Sequence, residues 1–85
     1  MSAIEKARET LKVAFPGLEP IANKEALTEL ERAQHLLWMC DEAERFMEIG
    51  EREKAMRWVG FVQGTFWILG LRSIDAMRED VRSAV

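Results

Sequence analysis

The chain has one cysteine, one histidine, two prolines and no tyrosine among its 85 residues. Each scarcity closes a route. A lone Cys40 excludes an intrachain disulfide, and a single thiol suits a reducing compartment better than a secreted one. A structural zinc site takes about four ligands at recognisable spacings. His35 and Cys40 stand alone and on different faces of a helix, and Glu31 with His35 has no second Glu-x-x-His set to match it. No metal and no cofactor is therefore expected; Cys40 reads as a small core residue and His35 as a partly exposed one. There is no G-x-S-x-G and no glycine-rich phosphate loop. The only histidine has no obvious nucleophile beside it, and catalysis is not expected.

Long apolar runs are missing too. The longest, from Trp58 to Leu71, falls short of the roughly 20 residues a membrane-spanning helix needs. Residues 1–12 are charged and helical in pattern, with nothing resembling a secretory signal. Basic excess is absent as well: the net charge is −3 and the pI about 5.2, against the basic stripe of a typical nucleic-acid binder. Residues 1–50 carry ten acids and six bases, whereas residues 51–85 carry five acids and six bases, five of them Arg. Neither a nucleic-acid partner nor a membrane is expected.

What the chain does have is apolar mass, 48% of it, with three Trp and four Phe. A chain of this length lies near the lower end of what folds on one core. Burying each large apolar side chain contributes about 1.5–3 kcal/mol, and a single small bundle has little interior to hide them in. Homo-oligomerisation, with a dimer as the default, is the expected remedy.

The periodicity predicts an all-α chain, a single helical domain over 1–85. A long antiparallel αα-hairpin is flanked by a short N-terminal and a short C-terminal helix, and a helical bundle is completed by homo-oligomerisation. The helices are expected at about 3–14, 24–49, 51–69 and 74–84. Ser2 caps the first, with Glu5 three residues on, and Pro16-Gly17 stops it. Asn23 is the expected N-cap of the second, with Gly50 at its left-handed C-terminal position. Ala26, Ala33, Leu36, Leu37, Cys40, Ala43 and Met47 gather on one face of that helix. Leu27, Trp38, Met39, Phe46 and Ile49 form a second apolar face, so the helix should have two neighbours. Asp41 and Arg45 are spaced to pair along it. In the third helix Ala55, Trp58, Val59, Val62, Phe66 and Leu69 make the main face. Phe61 and Ile68 widen it on one side and Met56 and Trp67 on the other, so this helix is expected to be buried nearly all round. Ser73 should cap the fourth.

Gly60 and Gly64 share one side of the third helix. Each costs about 1 kcal/mol against Ala in a helix interior, so the chain should gain something by keeping them. Close approach of another helix to the bare backbone is the physical gain, whether within the chain or at a binding seam. Trp38, Phe46, Gly60, Gly64 and Trp67 are the residues expected at a partner or oligomer interface, since a desolvated Trp is a common hot spot. A different ligand, a nucleotide signal, would look to Arg57, Gln63, Trp67 and Arg72, with Arg as clamp and Trp as stacking ring.

The stretch Arg52-Glu53-Lys54-Ala55-Met56-Arg57-Trp58-Val59-Gly60-Phe61-Val62-Gln63-Gly64, continuing through Trp67, Gly70-Leu71, Ser73-Ile74-Asp75 and Met77-Arg78, resembles small helical proteins of tailed bacteriophages and prophages. The resemblance spans about residues 50–80. It implies a phage origin and expression in the host bacterial cytoplasm, and it carries no functional residue over. The first functional reading is thus a non-enzymatic phage accessory protein that binds a bacterial host protein, of defence or regulation, stoichiometrically. An oligomer that sequesters a small nucleotide ligand is the second, and a structural component of a phage particle or complex the third.

Overall fold

The computed structural model describes residues 2–83. Every regular element among them is a helix: α1 (Ala3–Ala14), α2 (Glu29–Glu48), α3 (Arg52–Ile68) and α4 (Ile74–Ser83). The described Cα atoms have a radius of gyration of 12.1 Å, close to the roughly 12 Å expected of a folded chain this long. Ala84, where the fourth helix was expected to end, lies outside the described residues.

α1 is capped as its sequence predicts. The Ser2 hydroxyl accepts the Glu5 backbone N–H at 3.1 Å, satisfying one of the free donors of the first turn. Ile4, Ala7 and Leu11 are buried. Arg8 leaves this stripe to reach α2, donating to Asp41 Oδ1 from Nη2 at 3.0 Å and bonding Glu44 as well. This pairing takes Asp41 away from Arg45, which pairs with Glu42 instead, at 2.6 Å. The reason is tertiary: α1 packs on this side of α2 and delivers a guanidinium that two carboxylates can share.

α2 begins five residues later than the expected 24. Asn23 does not cap a helix; its carboxamide oxygen accepts the Glu25 N–H at 3.1 Å, the local bond that favours a turn over helix. The cap is Thr28, in a reciprocal capping box with Glu31. Its hydroxyl accepts the Glu31 N–H at 3.1 Å, and the Glu31 carboxylate accepts the Thr28 N–H at 3.0 Å. The bond from the Thr28 backbone holds the Glu31 carboxyl below its usual range. Residues 21–28 thus form a connector, pinned where Ile21 N–H donates to Gln34 O at 3.1 Å.

α2 and α3 are joined by Ile49, Gly50 and Glu51. Gly50 has φ +84°, a left-handed conformation that a residue with a Cβ adopts at a cost. It lets Glu51 N–H reach Phe46 O at 2.8 Å and Gly50 N–H reach Met47 O at 3.2 Å, the paired bonds of a Schellman end. The core lies where α1, α2 and α3 meet. Leu11, Leu37, Cys40, Val62 and Phe66 are its largest fully enclosed side chains, and no polar side chain is buried in it. α4 packs chiefly on α1, through Met77, and is tethered to the preceding turn by the Arg72–Asp80 ion pair.

Candidate interaction surface

The second apolar face of α2 is taken up inside the chain around Trp38 and Phe46, while Leu27 and Ile49 stay exposed. Trp38 stacks on His35 at 5.3 Å on one side and meets Trp58 of α3 at 5.8 Å on the other. Phe46 presents its ring to Trp58 in an edge-to-face contact at 5.1 Å, a favoured aromatic geometry. Arg45 and Lys54 cover the Phe46 ring at 5.1 and 4.6 Å. Phe46, expected at an interface, is only 6% exposed. The correction has a clear cause: α3 packs onto this face, and its Trp58 fills the space an outside partner would have used. Trp38 is half-buried in the same seam.

The outer face of α3 is the opposite case. Phe61 is 63% exposed, Trp67 57% and Ile68 77%; α3 is not buried all round. Four elements are too few to enclose it, since α2 and α1 cover only the side bearing Ala55, Val59, Val62 and Phe66. Gly60 and Gly64 lie on the uncovered side. A Cβ built at either meets no atom within 4 Å, so no helix of this chain uses their bare backbone. At 100° per residue, Gly60, Gly64 and Trp67 fall within an arc of about 60°. Phe61 and Ile68 border that arc on one edge. The glycines form a shallow furrow with large apolar side chains beside it, a shape that accepts a helix at short interaxial distance.

The ligand set is not brought together. Arg57 lines a shallow cleft at the start of α3, Gln63 a groove shared with α4, and Arg72 a third depression against α1. Arg72 is also engaged by Asp80. The three line no common cleft. One cleft that the sequence did not suggest lies between α2 and α3. It encloses about 390 Å³ and is lined by Lys24, Arg32, His35, Leu36, Met39 and Phe61 together with Asn23, Ala26 and Thr65. No spacing along the chain announces it, because Lys24 comes from the connector, Arg32, Leu36 and Met39 from α2, and Phe61 from α3.

Cys40 sits in the core at 2% exposure, and burial pushes its thiol up to about 12. Such a thiol is neutral and inert at ordinary pH. Among the described residues, no three His, Cys, Asp or Glu side chains converge as a metal site would need, and no helix is long and apolar enough to cross a membrane. Comparisons with protein-family models, with curated proteins and with solved structures find no match to this chain, so no relative's site can be transferred to it.

Proposed function

We propose that the chain works by stoichiometric binding, and that its contact surface is the outer face of α3. The observation that carries this reading is the contiguous exposure of Phe61, Trp67 and Ile68 beside two glycines whose backbone nothing in the chain approaches. Large exposed apolar patches rimmed by polar groups mark interaction sites more often than not, and two unneeded glycines cost helix stability. The occupant is a helix of another protein. The phage-like pattern of residues 50–80 supports a bacterial host protein, of defence or regulation, as its source, and the host cytoplasm as the place of encounter.

A second copy of the chain is the other helix this face fits. A two-fold axis through Val62, with the two α3 helices antiparallel, would set Gly60 against Gly64 of the second copy. It would also place Arg57 over Trp67 of that copy, a favourable cation–π pairing. The test separates the two. Light scattering gives the solution mass of the wild type and of Trp67→Ala. A photo-crosslinking residue at position 67 is then installed in cells, with position 48 as control. A dimer split by Trp67→Ala assigns the face to self-association. A monomer that crosslinks to one host protein from position 67 and not from 48 supports the first reading. A monomer giving no crosslink above the control defeats both.

A further inference from the structure

The cleft between α2 and α3 has a charge opposite to that of the chain that holds it. The protein carries a net −3, yet the lining of this cleft includes the cations Lys24 and Arg32 and no carboxylate. Lys24 and Arg32 are exposed, and neither makes an ion pair among the described residues. Of the neighbouring acids, Glu31 is engaged by Thr28 and Asn23, while Glu25 of the connector is exposed and outside the lining. His35 accepts the Asn23 backbone N–H on Nδ1 at 2.9 Å, which leaves the ring proton on Nε2 and makes that nitrogen a donor. The rest of the lining is largely apolar, with Leu36 and Met39 from α2 and Phe61 from α3. At about 390 Å³ the space falls within the range of small-molecule sites, which pair an apolar lining with a few placed polar groups.

A second cavity continues from the first. It has a volume of about 180 Å³, shares Arg32, Leu36 and Thr65 with its neighbour, and is lined further by Leu11, Phe15, Ile68, Leu69 and one carboxylate, Glu29. Arg32 therefore stands at the junction of a basic mouth and an apolar recess. We infer that this composite cleft binds a small amphiphilic carboxylate, with the anion at Lys24 and Arg32 and a medium-length acyl or aryl body along Leu36, Met39 and Phe61. A neutral amphiphile gains the apolar contacts and loses the charge-assisted hydrogen bonds. A fully polar anion gains the reverse. Neither matches both walls, so the charge and the chain are required together. This site is separate from the furrow at Gly60 and Gly64 and does not rest on the partner reading, although Phe61 borders both.

The experiment is calorimetric titration of the full chain with octanoate, with octanamide and acetate as the neutral and short-chain comparisons. Octanoate is expected to bind at least tenfold more tightly than either. The double variant Lys24→Ala/Arg32→Ala should lose at least tenfold in octanoate affinity with an unchanged circular dichroism spectrum, since both side chains are exposed. Lys12→Ala, which removes a cation outside the cleft, should keep the wild-type affinity. Amide chemical-shift changes on titration should centre on residues 23–39 and 61–65. Equal binding of octanoate and octanamide, or full affinity in the double variant, would overturn the proposal. So would shifts centred on Trp67, which would place the amphiphile on the partner face instead.

Discussion

The inner and outer faces of α3 are built from the same kinds of residue and meet opposite surroundings. Phe66 is 1% exposed and Trp67, its chain neighbour, 57%. Val62 is enclosed, while Phe61 is largely open. Composition does not separate these pairs; direction around the helix does. Each inward residue is covered by α1 or α2, and among the described residues no element covers the outward ones. The lesson is that apolar residues in a helix of a small protein report a total demand for burial, and the fold meets only part of it.

The comparison is tested most sharply by truncating the neighbours one at a time. Phe66→Ala should cost about 3–5 kcal/mol, from lost transfer energy and the cavity left behind, measured by urea unfolding. That is a large part of the stability expected for a domain of this size. Replacing the two glycines should act in the other direction. With no atom near either Cβ position, Gly60→Ala and Gly64→Ala should each stabilise the isolated chain by about 1 kcal/mol. The same methyl groups should weaken whatever association the face makes, seen by light scattering or crosslinking. A stability gain with no loss of association would remove the furrow from the argument.

Smaller effects belong to the ends of the helices. Thr28→Ala should cost about 1 kcal/mol through the lost cap, read from the urea midpoint. Glu31 gives the same box a pH dependence. Its folded pKa is depressed by the bond from the Thr28 backbone, so its contribution is present above the ordinary carboxylate range. It is lost as pH falls through the folded value, and Glu31→Gln should flatten that acid limb. Trp67→Ala should change the stability of the isolated chain by no more than about 0.5 kcal/mol, while its effect on association is large. At neutral pH the smallest effect of all is expected at Cys40. Its thiol, raised to about 12, should resist alkylation at pH 8 in the folded chain and react at once in urea. Above about pH 9 the unfolded thiol ionises first, so stability should decline with rising pH there.

Much of the fold was legible along the chain. Ile4, Ala7 and Leu11 of the α1 stripe and Ala33, Leu36, Leu37, Cys40 and Ala43 of the α2 face are buried as their spacing predicts, while Ala14 and Met47, at the helix ends, are exposed and Ala26 falls in the connector. Gly50 ends α2 in the conformation its position suggests. The start of α2 was also written in the sequence, as Thr28 three residues before Glu31, but Asn23 offered a competing cap and its local turn bond was the stronger use of that side chain. The site was far less legible. A helical wheel shows that Trp38, Phe46, Phe61 and Trp67 lie off the main faces, and it cannot show which of them a second helix will cover. α3 covered Phe46 and part of Trp38 through Trp58. Phe61 and Trp67 were left.

By itself the sequence determined that this is an all-helical chain, where α1 and α2 stop, and most of the residues of its core stripe. Those outcomes follow from local physics: the 3.6-residue period, side chains that cap the first turn, and glycines that allow a left-handed end. Tertiary structure alone decided that Arg8 draws Asp41 away from Arg45, that the glycines face open space, and that Lys24, Arg32 and Phe61 share a cleft. Those depend on which helices cover which faces, and residues as far apart as Arg8 and Asp41, 33 positions, cannot announce such contacts through any spacing between neighbours.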